Sequence, residues 1–170
     1  MKKIVIAIIT LLVLNLTLYA ETAEKMEIFD TDGQHYNVEA KGDEIKIEGM
    51  EGKVVFLQFF GLRCPACKKE IPHLINLQNR FPNRLKVMAI EVQKSDNKPI
   101  NAFKKAYGIN YTTFSNFDIG YLVRYIIEKS GWKGAIPFML VIDANGKVRV
   151  VQAGIIEEAT LEEYVKKFSK

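Results

Sequence analysis

The stretch from Val54 to Cys67 constrains this chain more than any other. Its first seven residues, Val-Val-Phe-Leu-Gln-Phe-Phe, form a short apolar run that predicts a buried strand. Gly61 permits a turn, and the motif Cys64-Pro65-Ala66-Cys67 follows almost at once. Apolar side chains then recur at helical spacing. Two thiols therefore lie where a strand ends and a helix begins.

This position gives the first thiol a defined chemistry. Cys64 meets the free N–H groups and the positive dipole end of the predicted helix, which favour a thiolate. Arg63 adds positive charge, and Pro65 suits the first helical position because its missing N–H is not needed there. Cys67 lies one turn further along. We expect a redox site in which Cys64 is the nucleophile and Cys67 resolves the mixed disulfide.

The cysteine count favours a redox-active pair over a structural disulfide. Cys64 and Cys67 are the only two cysteines, and a bridge between them closes so small a loop that it adds little chain-entropy stabilisation. A zinc site needs four ligands, and only His35 and His73 could join the thiols. His73 belongs to another helical face and His35 to a distant hairpin. No metal and no cofactor are therefore predicted.

The N-terminus has the three regions of a secretory signal. Lys2-Lys3 precedes an apolar stretch from Ile4 to Leu18, and Leu18-Tyr19-Ala20 follows as the cleavage region. We expect a signal peptide over residues 1–20 and one globular domain over residues 21–170. An uncleaved anchor is the alternative, although the stretch is shorter than the ~20 residues that span a bilayer. The protein is expected in the periplasm or on the extracytoplasmic face of the membrane.

The formal net charge of +4 is small and gives no indication of a nucleic-acid partner.

The remaining elements follow in order along the chain. The patterns predict strands at Lys25–Asp30, His35–Ala40, Asp43–Glu48, Leu85–Val92, Phe138–Ile142 and Lys147–Gln152, an extended piece at Tyr111–Phe117, and helices at Pro99–Tyr107, Ile119–Lys129 and Ala159–Phe168.

Together these features resemble the thioredoxin superfamily. The strand, the Cys-x-x-Cys motif, the helix with Pro72 and the later Gly134-Ala135-Ile136-Pro137 carry that resemblance. The leading hairpin and the extra unit between Cys67 and Pro137 are similar to the TlpA/ResA-like branch, many members of which serve cytochrome c maturation. The resemblance implies an α/β thioredoxin fold. It would have a central mixed β-sheet flanked by helices, an N-terminal β-hairpin and a helical insertion before a cis-proline.

The resemblance also implies further site residues. A cis Ile136–Pro137 bond would lie beside the disulfide, where the backbone pairs with an incoming peptide; an ordinary trans proline is the alternative. Glu70 matches the glutamate that tunes the cysteines in ResA-like proteins, and it is the proton-transfer candidate. Its alternative is an exposed helix charge. Gln58 stands where thioredoxins carry a buried aspartate, and glutamine cannot titrate.

The leading functional hypothesis is an exported, monomeric thiol–disulfide oxidoreductase that reduces disulfides of exported clients. The resemblance suggests apocytochrome c as one client and a membrane electron-transfer protein as the donor. Two alternatives stay open. The same thiols could serve an oxidase or isomerase, or the domain could bind client peptides without turnover.

Overall fold

The computed structural model describes residues 22–169. Three strands, β1 (Glu24–Phe29), β2 (His35–Lys41) and β3 (Glu44–Ile47), form an antiparallel sheet in that order. Asp30 shapes the turn between β1 and β2 by accepting the backbone N–H groups of Asp32 and Gln34 at 3.0 and 2.8 Å. The predicted hairpin is confirmed, and the predicted third strand pairs with it.

A second sheet of five strands forms the centre of the domain. Its order is β6-β5-β4-β7-β8, with β5 and β6 parallel to the central strand β4 while β7 and β8 run antiparallel. The strands are β4 (Val54–Phe60), β5 (Leu85–Glu91), β6 (Thr112–Ser115), β7 (Phe138–Ile142) and β8 (Val148–Ala153). The predicted mixed sheet is confirmed.

Four helices surround this sheet: α1 (Pro65–Arg80), α2 (Asn97–Ala106), α3 (Gly120–Ser130) and α4 (Glu158–Phe168). All seven residues of β4 are buried because the strand has a neighbour on each side and a layer on each face. Successive side chains point to opposite faces. Phe56 and Phe60 therefore pack with α1 and α4, while Leu57 and Phe59 pack with α3 and the three-stranded sheet.

This topology decides where the site lies. The parallel strands β4, β5 and β6 all end at one edge of the sheet, which is where α1 begins. Open α/β sheets bind their ligands at the carboxyl ends of their strands. The cysteine motif occupies that edge.

The insertion between β5 and β7 is richer than predicted. Besides the two expected helices, it contributes β6, which extends the sheet at its edge by pairing with β5. The predicted extended piece from Tyr111 is thus a short strand. Pro72 lies inside α1, which continues although this residue has no N–H to donate to the preceding turn.

The signal-peptide prediction lies outside the described residues. Within residues 22–169, no helix has the length and apolar character required to cross a membrane.

Candidate active site

The two cysteines form a disulfide at the N-terminus of α1. Cys64 is the N-cap residue, with an extended backbone, and Pro65 is the first helical residue. The Cys64 sulfur accepts the backbone N–H of Cys67 at 3.0 Å, so it takes the place of the side-chain oxygen of an ordinary N-cap. Cys64 is 6% exposed and Cys67 1%, which makes Cys64 the more accessible sulfur.

The segment before β7 contacts this disulfide. The Ile136–Pro137 peptide bond is cis, as predicted. The Ile136 carbonyl oxygen lies 3.9 Å from the Cys64 sulfur. Trp132 belongs to the same segment, and its indole N–H donates to the Ala135 carbonyl at 2.7 Å. Ile136, one of the two predicted substrate-binding residues, therefore lies beside the accessible sulfur, and Pro137 follows it in the chain.

Glu70 is fully buried on the inner face of α1. The alternative prediction, an exposed charge on the helix, is therefore wrong. One carboxylate oxygen accepts the Ile156 backbone N–H at 2.9 Å. The other accepts the side-chain amide of Gln58 at 2.5 Å. Gln58 therefore reaches the carboxylate from β4, at the position where the resemblance placed an aspartate. A buried carboxyl group is retained here, supplied by α1.

Burial raises the pKa of Glu70, and the hydrogen bonds from Ile156 and Gln58 and the charge of His73 oppose that rise. Tyr111, immediately before β6, is 4% exposed. Burial and then the charge of Glu70 raise the pKa of Tyr111. Around Glu70 the structure therefore gathers polar groups from four separate parts of the chain.

Sequence reasoning did not identify Tyr111 or Ile156 as neighbours of Glu70. Tyr111 is a phenol amid an extended segment, and Ile156 contributes only its backbone N–H. Neither carries a local signal. His35 lies on β2 and His73 on α1. In the part of the chain that the structure describes, no three His, Cys, Asp or Glu side chains are grouped to hold a metal ion.

Comparison with known proteins bears on this geometry. The model of a family described as AhpC/TSA family matches residues 23–151. The chain belongs to the AhpC/TSA family. It is also similar to the thiol-disulfide oxidoreductase ResA of Bacillus subtilis, with 29% identity over 164 residues that cover 94% of this chain and 88% of that protein. ResA of Bacillus cereus is 29% identical over 158 residues, which cover 89% of this chain and 84% of that protein.

Solved structures share the fold of this AhpC/TSA family member. A thiol:disulfide interchange protein from Chlorobium tepidum superposes with a TM-score of 0.66 at 24% identity, covering 87% of this chain and 96% of that one. StoA from Bacillus subtilis gives 0.62 at 16% identity, covering 85% and 98%. The predicted thioredoxin fold is confirmed, and so is the prediction that the chain is a thiol–disulfide oxidoreductase.

Proposed function

We propose that Cys64 and Cys67 are the redox centre through which this protein reduces disulfides of exported client proteins. The observation that carries Cys64 as the attacking sulfur is its capping contact with the Cys67 N–H at 3.0 Å, whereas the reducing direction rests on the resemblance to the TlpA/ResA-like branch. An N–H and a helix dipole directed at this sulfur stabilise the negative charge of a thiolate once the disulfide is reduced. A stabilised thiolate at the more accessible sulfur is what disulfide attack requires.

The reaction proceeds in two exchanges. The Cys64 thiolate attacks one sulfur of a client disulfide; that bond breaks, the other client sulfur leaves as a thiolate, and a mixed disulfide forms. Cys67 then loses its proton and attacks the Cys64 sulfur, which releases the second client thiolate and restores the Cys64–Cys67 disulfide. The client gains two electrons, and its thiolates take up two protons from the Cys67 thiol and from solvent.

Glu70 is the group proposed to receive the Cys67 proton. It lies three residues beyond Cys67 on α1, a spacing that places both side chains on one face of the helix. Burial raises the pKa of Glu70, so this carboxylate accepts a proton at a pH closer to neutral than a surface glutamate does. Gln58 and the Ile156 N–H hold the carboxylate in place.

Ile136 and Pro137 are proposed to receive the client peptide. The Ile136 carbonyl lies 3.9 Å from the sulfur that would form the mixed disulfide. An extended client segment beside this backbone could pair with it as an added strand does. Residues on either side of the client cysteine would then be held while the sulfurs exchange.

Export and the wider pathway belong to the same proposal. The charged and apolar N-terminal pattern supports export to the periplasm or the extracytoplasmic face of the membrane. Apocytochrome c is the client class suggested by the resemblance, and a membrane electron-transfer protein would restore the dithiol. Fusing residues 1–30 to a reporter enzyme that is active only outside the cytoplasm tests export; an inactive but expressed fusion would contradict it.

The activity is tested with purified protein and a disulfide-containing peptide under a thiol donor. We expect turnover by the unaltered protein, none by Cys64→Ser, and unchanged turnover by the control Lys25→Ala, an exposed position on β1. If Cys64→Ser binds the peptide as well as the unaltered protein does, and neither the unaltered protein nor any variant shows turnover, a binding module would instead be favoured. Net formation of disulfides in a reduced client would favour an oxidase.

A further inference from the structure

The loop between β5 and α2 is held in one conformation by a buried carboxylate. Glu91, the last residue of β5, is fully buried. Its two oxygens accept the backbone N–H groups of Gln93 and Ser95 at 3.1 and 2.8 Å. Between them, Lys94 has a φ of 64° and is the only non-glycine residue of the described chain with a positive φ. Such a conformation persists only where its surroundings fix it, and it is concentrated at functional sites.

The neighbouring strand fixes the same loop from its other side. The Ser115 hydroxyl, at the end of β6, donates to the Ser95 carbonyl at 2.9 Å. The backbone N–H of Asn116 donates to the Glu91 carbonyl at 3.1 Å. The loop is therefore anchored to the sheet edge at several points, and its side chains project from a rigid support.

Gln93 extends from this support to the turn that carries the nucleophile. Residues 61–64 form a turn closed by a hydrogen bond from the Cys64 N–H to the Gly61 carbonyl at 3.1 Å. The side-chain oxygen of Gln93 accepts the Arg63 N–H at 3.1 Å. Gln93 thus binds the backbone of the residue that immediately precedes Cys64.

The same side chain explains the glycine of the turn. The φ angle of Gly61 is not positive, so its backbone conformation does not require glycine. A Cβ placed there would lie only 2.6 Å from the Cγ of Gln93. The turn predicted from Gly61 is present, and a side chain at this position would have to displace that of Gln93.

We propose that Gln93 is a positioning residue that holds the Gly61–Cys64 turn so that the Cys64 sulfur stays over the N-terminus of α1. This inference rests on the proposed function, in which Cys64 is the nucleophile. Without the Gln93 contact the turn gains freedom, and the sulfur spends less time beside the Cys67 N–H that stabilises its thiolate. Cys64 should then be less acidic and less reactive at neutral pH.

The test replaces Gln93 by methionine, which keeps the length of the side chain and removes the amide acceptor. The rate of alkylation of Cys64 by iodoacetamide is measured against pH in a Cys67→Ser background. The loss of one hydrogen bond predicts an alkylation rate at neutral pH that is about two- to tenfold lower, with the Cys64 pKa shifted upward. Gln34→Met, on the exposed turn after β1, is the matched control and should leave both values unchanged.

The equilibrium of the Cys64–Cys67 pair with glutathione is the second readout, measured with both cysteines present. We expect it to move toward the disulfide in Gln93→Met by a similar factor. Alkylation and equilibrium values equal to those of the unaltered protein, or a more reactive Cys64, would overturn the positioning role. Failure of the unaltered protein to reduce a client would instead overturn the proposed function, because these two readouts need no client.

A second pair of variants tests the close contact itself. Gly61→Ala should displace Gln93 and lower Cys64 reactivity by the same factor as Gln93→Ala. If both act through one contact, the double variant loses no more than either single variant. Losses that multiply in the double variant would show that Gly61 and Gln93 act independently, which would also overturn the proposal.

Discussion

Replacing Glu70 by glutamine or by alanine separates the structural role of this residue from its chemical one. The carboxylate accepts two hydrogen bonds, from the Ile156 N–H and from Gln58, in a site without solvent exposure. Glu70→Gln retains an acceptor for Ile156. Its new amide can pair with Gln58 once the Gln58 amide turns over. Glu70→Ala leaves both donors buried without a partner.

The structure sets the size of the difference. Each buried donor left without an acceptor costs about 1–3 kcal/mol. Glu70→Ala should therefore be less stable than Glu70→Gln by about 2–6 kcal/mol for the two donors together. Both variants lack the proposed proton acceptor, and general-base catalysis is worth about 10²–10⁴-fold. Resolution of the mixed disulfide at Cys67 should slow by about 100-fold or more in each.

Urea unfolding of the oxidised variants measures stability, and stopped-flow release of a client thiol measures the resolving step. Raising the pH should restore release in both variants, because the Cys67 thiol then ionises without help. Release by Glu70→Gln at the unaltered rate from about pH 6 to 9 would refute proton transfer by Glu70. Equal stability of the two variants would refute the hydrogen-bond account.

The pH dependence of stability gives an independent check. Burial raises the pKa of Glu70 above its ordinary value of 4.5. The folded protein therefore holds this proton more tightly than the unfolded chain. The resulting stabilisation is complete below the ordinary value and is lost as the pH rises through the folded value. The unaltered protein should lose stability relative to Glu70→Gln over that window; a constant difference would contradict the shift.

Three further predictions concern the disulfide and the hairpin of β7 and β8. Cys67→Ser should accumulate a mixed disulfide between a client and Cys64, visible on non-reducing gels, and its absence would contradict the assigned order of attack. Trp132 fluorescence should change on reduction, because the indole packs at the segment beside the disulfide; identical spectra would place it away from the pair. Asp143→Ala should lower the free energy of unfolding by about 2–4 kcal/mol, since its carboxylate accepts two backbone N–H groups and the Arg149 guanidinium. Burial alone would raise the pKa of Asp143, but these bonds lower it overall, so this contribution is lost as the pH falls through the lowered value. Equal unfolding midpoints would contradict it.

The centre of the site could be predicted because its signals are local in sequence. A strand, a turn, Cys64, Pro65 and an amphipathic helix follow one another, and each element restricts the next. The cis Ile136–Pro137 bond was predicted from resemblance alone. It reaches the site only through the pairing of β7 with β4, two strands that are far apart in the sequence.

The surroundings of the site could not be predicted, because they depend on distant contacts. Helical spacing placed Glu70 on the face of Cys67. Its burial, however, depends on Gln58 from β4 and on Ile156 from the loop before α4. Gly61 was expected to serve a turn, and only the structure shows that the Gln93 side chain occupies the space that a Cβ would take there. The short strand β6 is likewise defined by its pairing with β5.

The reduction potential of the Cys64–Cys67 pair tests the central claim most directly. It is obtained by equilibrating the protein with glutathione or dithiothreitol buffers and trapping the free thiols. A reductant recharged by a dedicated donor predicts a potential near that of thioredoxin, about −270 mV. A potential near that of a strong disulfide donor, about −120 mV, would contradict the proposed direction of electron flow.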